Sequence, residues 1–230
     1  MEGYPVRILS ITEITHNVRQ FNVEKPEGYV FTPGQATDVS LPEQAWKDQL
    51  RPFTFTGLNE WDHLQFTIKI YPERKGVTDQ LGHRKTGQTL TIHDVWGAIQ
   101  YKGEGTFIAG GAGITPFIAI FRQLYRDGKI GNNRLIFSNK TERDIIMKAQ
   151  WDEWLGPKAQ YVVTDGKDGK DGKDGKDGKD GKGRIDEKWL KERIKNFNQQ
   201  FYVCGPDPMV AEIKKALENL GASGMITIEL

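Results

Sequence analysis

The run Thr106-Phe107-Ile108-Ala109-Gly110-Gly111-Ala112-Gly113-Ile114-Thr115-Pro116 decides the fold. Thr106–Ala109 reads as a short buried strand; the chain then meets three glycines in four residues, and beyond them the apolar side chains recur at helical spacing. Ile114, Phe117, Ile118, Phe121, Leu124 and Tyr125 fall on one stripe, which makes them the core face of a helix over Thr115–Tyr125. Strand, glycine turn and helix in that order have a chemical use. Glycine lets the backbone approach an anion such as a pyrophosphate, and the helix start presents N–H groups and the positive end of its dipole. Pro116 suits the first helical turn. Tight strand-to-helix packing would use the same glycines, so the surrounding sequence has to decide.

On the C-terminal side the rhythm repeats. Strands at Arg134–Ser138, Gln160–Thr164, Phe201–Cys204 and Met225–Glu229 alternate with helices at Asp144–Trp154, Asp186–Asn196 and Pro208–Leu220. Five strands separated by four helices predict a doubly wound parallel α/β sheet, whose ligands bind at the carboxyl ends of the strands. Trp189, Leu190 and Ile194 share a stripe and read as core. On the N-terminal side the period changes to two. Val6–Ile11, Val18–Val23, Ala36–Leu41, Pro52–Thr56, Leu64–Tyr71 and Thr89–Ile92 predict a six-stranded antiparallel Greek-key β-barrel. The change of period divides the chain into a barrel domain, 1–102, and an α/β domain, 103–230.

The chain has 230 residues, and its 32 Lys and Arg stand against 31 Asp and Glu, a formal net charge of +1 that argues against a nucleic-acid partner. Its single cysteine, Cys204, cannot build a four-cysteine zinc site or an iron–sulfur cluster, and no metal site is expected. The longest uncharged run, Gly105–Phe121, falls short of the roughly 20 apolar residues that span a bilayer, and no signal peptide is read. A cytoplasmic monomer without a membrane segment is expected. One segment stands apart. Asp165–Gly183 is a period-three repeat of six Asp, six Lys and seven Gly, with no apolar side chain to give a core. It lacks the proline of a collagen-like helix and the period-two acidic ligands of a calcium loop, and reads as a solvated loop insert.

Three further motifs recur at strand ends. Val203-Cys204-Gly205-Pro206-Asp207-Pro208-Met209 turns the chain sharply after the fourth α/β strand, leaving the thiol facing the crevice of the first motif. Arg51-Pro52-Phe53-Thr54 offers a guanidinium fork for phosphate, an aromatic face for a planar heterocycle and a hydroxyl. Gly76-Val77-Thr78-Asp79-Gln80-Leu81 is a glycine and a hydroxyl at a short helical turn, a second anion cradle or a plain helix cap.

In this order and spacing the four motifs resemble those of the ferredoxin–NADP reductase superfamily. Phe31-Thr32-Pro33-Gly34-Gln35 and Gly87-Gln88-Thr89-Leu90 are similar to further turns of that family. The resemblance implies FAD in the barrel, NADH or NADPH on the α/β domain, and hydride transfer between them. It gives Arg51 to the FAD pyrophosphate, with Pro52 beside it, Phe53 to the isoalloxazine face and Thr54 to the reacting flavin nitrogen. Ile68, Lys69, Ile70 and Tyr71 would line the flavin, and Gly76, Val77 and Thr78 would hold its phosphates. The nicotinamide dinucleotide would meet Gly110, Gly111, Ala112, Gly113, Ile114, Thr115 and Pro116, with Cys204, Gly205, Pro206 and Met209 across the crevice. Cys204 would shape the approach of the nicotinamide, and Glu229 would position groups or handle a proton. Ser138, Asn139, Lys140 and Asp165 would flank the adenosine end. Ser138–Ile145 is similar to the NADH-using cytochrome b5 reductase branch, and Asp165 would repel a 2′-phosphate, so NADH is favoured over NADPH, against which Lys140, Arg143 and Lys167 could bind that phosphate.

The resemblance further implies an acidic electron carrier, a flavodoxin or ferredoxin; the basic cluster Arg74, Lys75, His83, Arg84 and Lys85 reads either as its docking patch or as a solvated basic loop. The alternatives are a free-flavin or cytochrome reductase, the reductase component of an oxygenase, and a non-catalytic nucleotide-binding scaffold that displays the repeat. Cutting the repeat to a short turn is expected to leave flavin content and turnover unchanged; a loss of dinucleotide affinity in that variant would overturn this view of the insert.

Overall fold

The computed structural model describes residues 3–97, 99–165, 181–222 and 226–229. Its first sheet is built from β1 (Tyr4–Thr15), β2 (Val18–Glu24), β3 (Ala36–Ser40), β4 (Arg51–Thr54), β5 (His63–Lys69) and β6 (Thr89–Trp96), with α1 (Val77–Gly82) between the last two. All of its ladders are antiparallel, in the order β4-β3-β6-β1-β2-β5. Alternation explains the pairing: Val6 and Ile8, Phe21 and Val23, Leu64, Phe66 and Ile68, and Leu90 and Ile92 all point inward and are buried.

The two edge strands meet at Phe55, which bridges Phe66, while the Thr56 N–H donates to the Gln65 carbonyl at 2.8 Å. Phe55 is fully buried there. It stacks on Phe31 at 4.2 Å and touches Tyr29 and Phe66 at 6.0 and 5.2 Å, so an aromatic cluster holds the seam shut.

The second sheet comprises β7 (Gly105–Gly110), β8 (Arg134–Asn139), β9 (Ala159–Val163), β10 (Gly181–Lys182), β11 (Gln200–Cys204) and β12 (Ile226–Glu229), all parallel, in the order β10-β9-β8-β7-β11-β12. The helices are α2 (Thr115–Arg126), α3 (Lys148–Leu155), α4 (Glu187–Arg193) and α5 (Asp207–Asn219). Ile108, Ile136, Val162 and Val203 pack in one core with Trp189 and Leu190 of α4 and Val210, Ile213 and Leu217 of α5. By contacts the chain forms two compact units, Met1–Tyr101 with Thr115–Asp127, and Lys102–Ile114 with Gly128–Leu230. Helix α2 therefore counts with the barrel, although a boundary at 102/103 assigns it to the α/β half.

Two elements differ in kind from the sequence reading. Asp144–Trp154 is not one helix: a 3-10 turn over Glu142–Asp144 precedes α3, and Met147 between them has φ 57°. Ile145, Ile146 and Met147 are all buried, which three successive residues on one helix face cannot achieve. The end of the repeat also does more than loop, because Gly181 and Lys182 add an edge strand onto Val162 and Val163. Strand pairing is a main-chain contact and needs no apolar side chain. Residues 166–180 of the repeat, and Met225, lie outside the described residues.

Among the described residues no helix is long and apolar enough to cross a membrane. Phe55→Ala is expected to cost about 3–5 kcal/mol of stability through the cavity it opens at the seam; urea unfolding followed by tryptophan fluorescence measures it.

Candidate functional site

On the barrel, β4 pairs Thr54 with Ala36, Phe53 with Thr37, Pro52 with Asp38 and Arg51 with Val39. Arg51 and Pro52 are exposed, and the Arg51 guanidinium donates to its neighbour's carbonyl, that of Leu50, at 2.7 Å. Phe53 is half-buried, with part of its ring against the barrel core, and Thr54 is half-buried beside it. Continuing the antiparallel register from the Phe55–Phe66 bridge puts Phe53 opposite Ile68 and Arg51 opposite Ile70. No ladder among the described residues joins those segments, so the two strands part just where Arg51–Thr54 faces Ile68–Tyr71. A planar group entering there meets main-chain polar atoms from both sides.

Ile68 itself is buried in the core. The Ile70 N–H donates to Asn17 at 2.8 Å. Lys69 and Arg74 flank the Tyr71 ring at 5.7 and 4.3 Å, and burial pushes the Tyr71 hydroxyl up from its ordinary value. Beyond it, Val77 and Leu81 anchor α1 in the core, while Gly76 precedes its first turn without a side-chain cap. A side chain at Gly76 would meet nothing closer than the Arg74 carbonyl, at 3.8 Å, so open space lies where phosphate oxygens would stand beside Thr78.

In the α/β unit the strand order reverses between β7 and β11, the crevice where open sheets bind ligands. Ala109 pairs with Cys204, Cys204 with Glu229, and Gly110 with Ser138, so four expected site segments end side by side. The turn is a 3-10 turn, Gly111–Ile114, leading into Thr115 and Pro116 of α2. A Cβ at Gly110 would collide with the Met209 sulfur and press on Pro206 at 3.1 Å; one at Gly113 would collide with the Cys204 carbonyl and come within 2.6 Å of the Gly205 Cα. The two turns thus touch backbone to backbone. Gly111 differs: its φ is 53° and its Cβ direction is open. Ala112 lies between these glycines, and Ile114 is fully buried behind them. Cys204 is partly exposed at the strand end.

The adenosine side is set by the ends of β8 and β9. Asp165 and Lys140 are exposed and tied together, the Asp165 N–H donating to the Lys140 carbonyl at 2.8 Å. Thr141 and Asp144 form a capping box that turns the chain just beyond. Ser138 is half-buried; Asn139 is buried, with neither carboxamide atom hydrogen-bonded. These residues fit a dinucleotide, because the glycine turn leaves a backbone-walled cradle and the strand end holds an unpaired amide.

The basic cluster is smaller than expected. Arg84 is not available to a partner: its guanidinium donates twice to Glu43, at 2.7 and 2.5 Å, only 9% of its side chain is exposed, and the pairing pulls the Glu43 carboxyl down. Arg74, Lys75, His83 and Lys85 remain exposed. Arg122 was not singled out by its sequence, although it is a charged residue inside the apolar run Phe117–Leu124. Its guanidinium donates to the Thr56 carbonyl at 2.5 Å and to Gln65 Oε1 at 2.9 Å, and burial pushes it down to about 10.

Residues 107–215 match the family of oxidoreductase NAD-binding domains. An NADH-cytochrome b5 reductase 1 from Pyricularia oryzae is 29% identical over 91% of this chain and 72% of its own. An inducible nitrate reductase [NADH] from Glycine max is 26% identical over 96% of this chain but only 28% of its own. A ferredoxin NADP+ reductase structure from Neisseria gonorrhoeae superposes with a TM-score of 0.83 at 18% identity, covering 100% of this chain and 98% of that one. Fold and cradles together define the class, that of FAD-dependent NAD(P)H oxidoreductases. Its two-part fold is that of the ferredoxin NADP+ reductase structure throughout, and residues 107–215 carry the match to the NAD-binding family.

Gly113→Ala is expected to lose about 1–3 kcal/mol, since a backbone neighbour cannot swing aside, whereas Gly111→Ala loses about 1–2 kcal/mol from its left-handed backbone alone. Thermal unfolding compares them, and a Gly113→Ala protein as stable as the parent would show that the turns do not touch.

Proposed function

We propose that this protein passes electrons from NADH through FAD to a small haem protein of the cytochrome b5 kind. The observation that carries the reading is the similarity to an NADH-cytochrome b5 reductase over 91% of the chain, both units included. It favours the cytochrome-reductase alternative over the flavodoxin or ferredoxin that the family resemblance implies.

FAD, when bound, supplies the conversion of a two-electron hydride donor into single electrons. The chain supplies binding and orientation. Arg51 would pair with the pyrophosphate, Gly76–Thr78 would take its oxygens on backbone N–H groups, and Phe53 would give a face to the ring system. Gly111 would offer main chain to the nicotinamide dinucleotide, and Cys204 and Glu229, paired at adjacent strand ends, would lie where the nicotinamide approaches. Exposed Asp165, just past the end of β9, supports NADH, because its carboxylate would repel a 2′-phosphate at the adenosine end. Exposed Lys75 and Lys85 suit an acidic carrier, with the salt dependence of surface charge.

The purified protein is expected to be yellow and to bleach on adding NADH, with NADH preferred over NADPH by about tenfold or more in kcat/KM. A cytochrome b5 should be reduced faster than a flavodoxin, and Arg51→Ala should weaken FAD retention. Faster flavodoxin reduction, or no bleaching, would overturn the reading.

A further inference from the structure

We infer that Arg122 is a positioning residue for hydride transfer, tying the helix that begins with the dinucleotide motif to the strand that carries the flavin motif. The inference rests on the proposed function. Helix α2 opens with Thr115 and Pro116, the last residues of the glycine-turn motif, and Arg122 follows two turns later, about 10 Å along the axis. The flavin-side motif ends at Thr54, and the carbonyl that Arg122 holds belongs to Thr56, two residues further along the same segment.

The contact is directional where its surroundings are not. Phe117, Ile118, Ile120 and Phe121 bury α2 through apolar packing, which tolerates sliding. Arg122 instead has three fixed partners: the Thr56 carbonyl at 2.5 Å, Gln65 Oε1 at 2.9 Å, and the Trp61 ring, 4.9 Å from the guanidinium carbon. Gln65 is itself held, its amide donating to Asn22 Oδ1 at 3.0 Å, and Asn22 donates to Ser10 Oγ at 3.0 Å. The tie thus reaches β5, β2 and β1. One turn on, Arg126 pairs with Glu60. Both bonds leave one guanidinium nitrogen while the group lies over the Trp61 ring; a lysine at 122 would keep the charge but not that planar group, and a glutamine would lose the charge as well.

The test compares Arg122→Lys and Arg122→Gln with the parent by rapid mixing with NADH. At saturating NADH the bleaching rate of Arg122→Lys is expected to fall about ten- to a hundredfold, the cost of a misplaced near-attack geometry. FAD content and unfolding midpoint should stay at the parent values, and the NADH dissociation constant should move less than about twofold. Arg122→Gln should fall at least as far. Bleaching of Arg122→Lys within about twofold of the parent overturns the inference, as does a rate loss matched by loss of FAD or of folded protein. A parent that NADH does not bleach refutes the proposed function itself and takes this inference with it.

Discussion

Main chain against main chain at the switch point of the parallel sheet is the constraint on which the rest depends. The turns after β7 and β11 approach so closely that Gly110, Gly113 and Gly205 have no room for a Cβ without pressing on the opposite turn. Glycine there is a steric requirement before it is a chemical one. A crevice walled in this way presents amide groups that need no side-chain ordering, so the capacity to hold an anion follows from how the sheet is closed. Gly111 stands in front of that wall with open space at its Cβ direction, and its left-handed backbone aims the turn outward. Met209 and Pro206 pack against Gly110 behind it.

The barrel solves the opposite problem. Its edge strands have to meet to close the core, yet a flavin-binding segment needs main-chain groups not consumed by a ladder. One bridge, Phe55 to Phe66, satisfies both demands: aromatic packing supplies the closure energy, and the strands part again within two residues. The stacking of Phe31 on Phe55 ties the Phe31–Gln35 turn to the same closure.

Both sheets were readable because period two and strand–helix alternation are local patterns; all six barrel strands and the five principal parallel strands fall where the pattern puts them. Pattern failed where a local rule was overridden. In β6 the alternation breaks between Ile92 and Val95, where the register against β3 shifts, and the strand runs on to Trp96 instead of stopping at Ile92. The helix read from Asp144 breaks at Met147 because three neighbouring apolar side chains all have to be buried. Partners distant in sequence were invisible: Arg84 meets Glu43 across 41 residues, and Arg122 meets the Thr56 carbonyl across 66. A carbonyl partner leaves no trace in a sequence, since every residue has one.

These two arginines also show why counting basic residues misleads. Arg84 is neutralised by a carboxylate, so it adds nothing to the field that an incoming protein meets. Arg122 is partly desolvated with uncharged oxygens as acceptors, an arrangement that gives direction without a counter-charge for salt to screen. Lys75 and Lys85 are exposed, and their influence extends about 8 Å at physiological ionic strength and shrinks as salt rises. Ionic strength therefore separates the two roles. Encounter with an acidic carrier should weaken with salt, whereas the internal registry of α2 against the barrel should not, because its acceptors carry no charge for salt to screen.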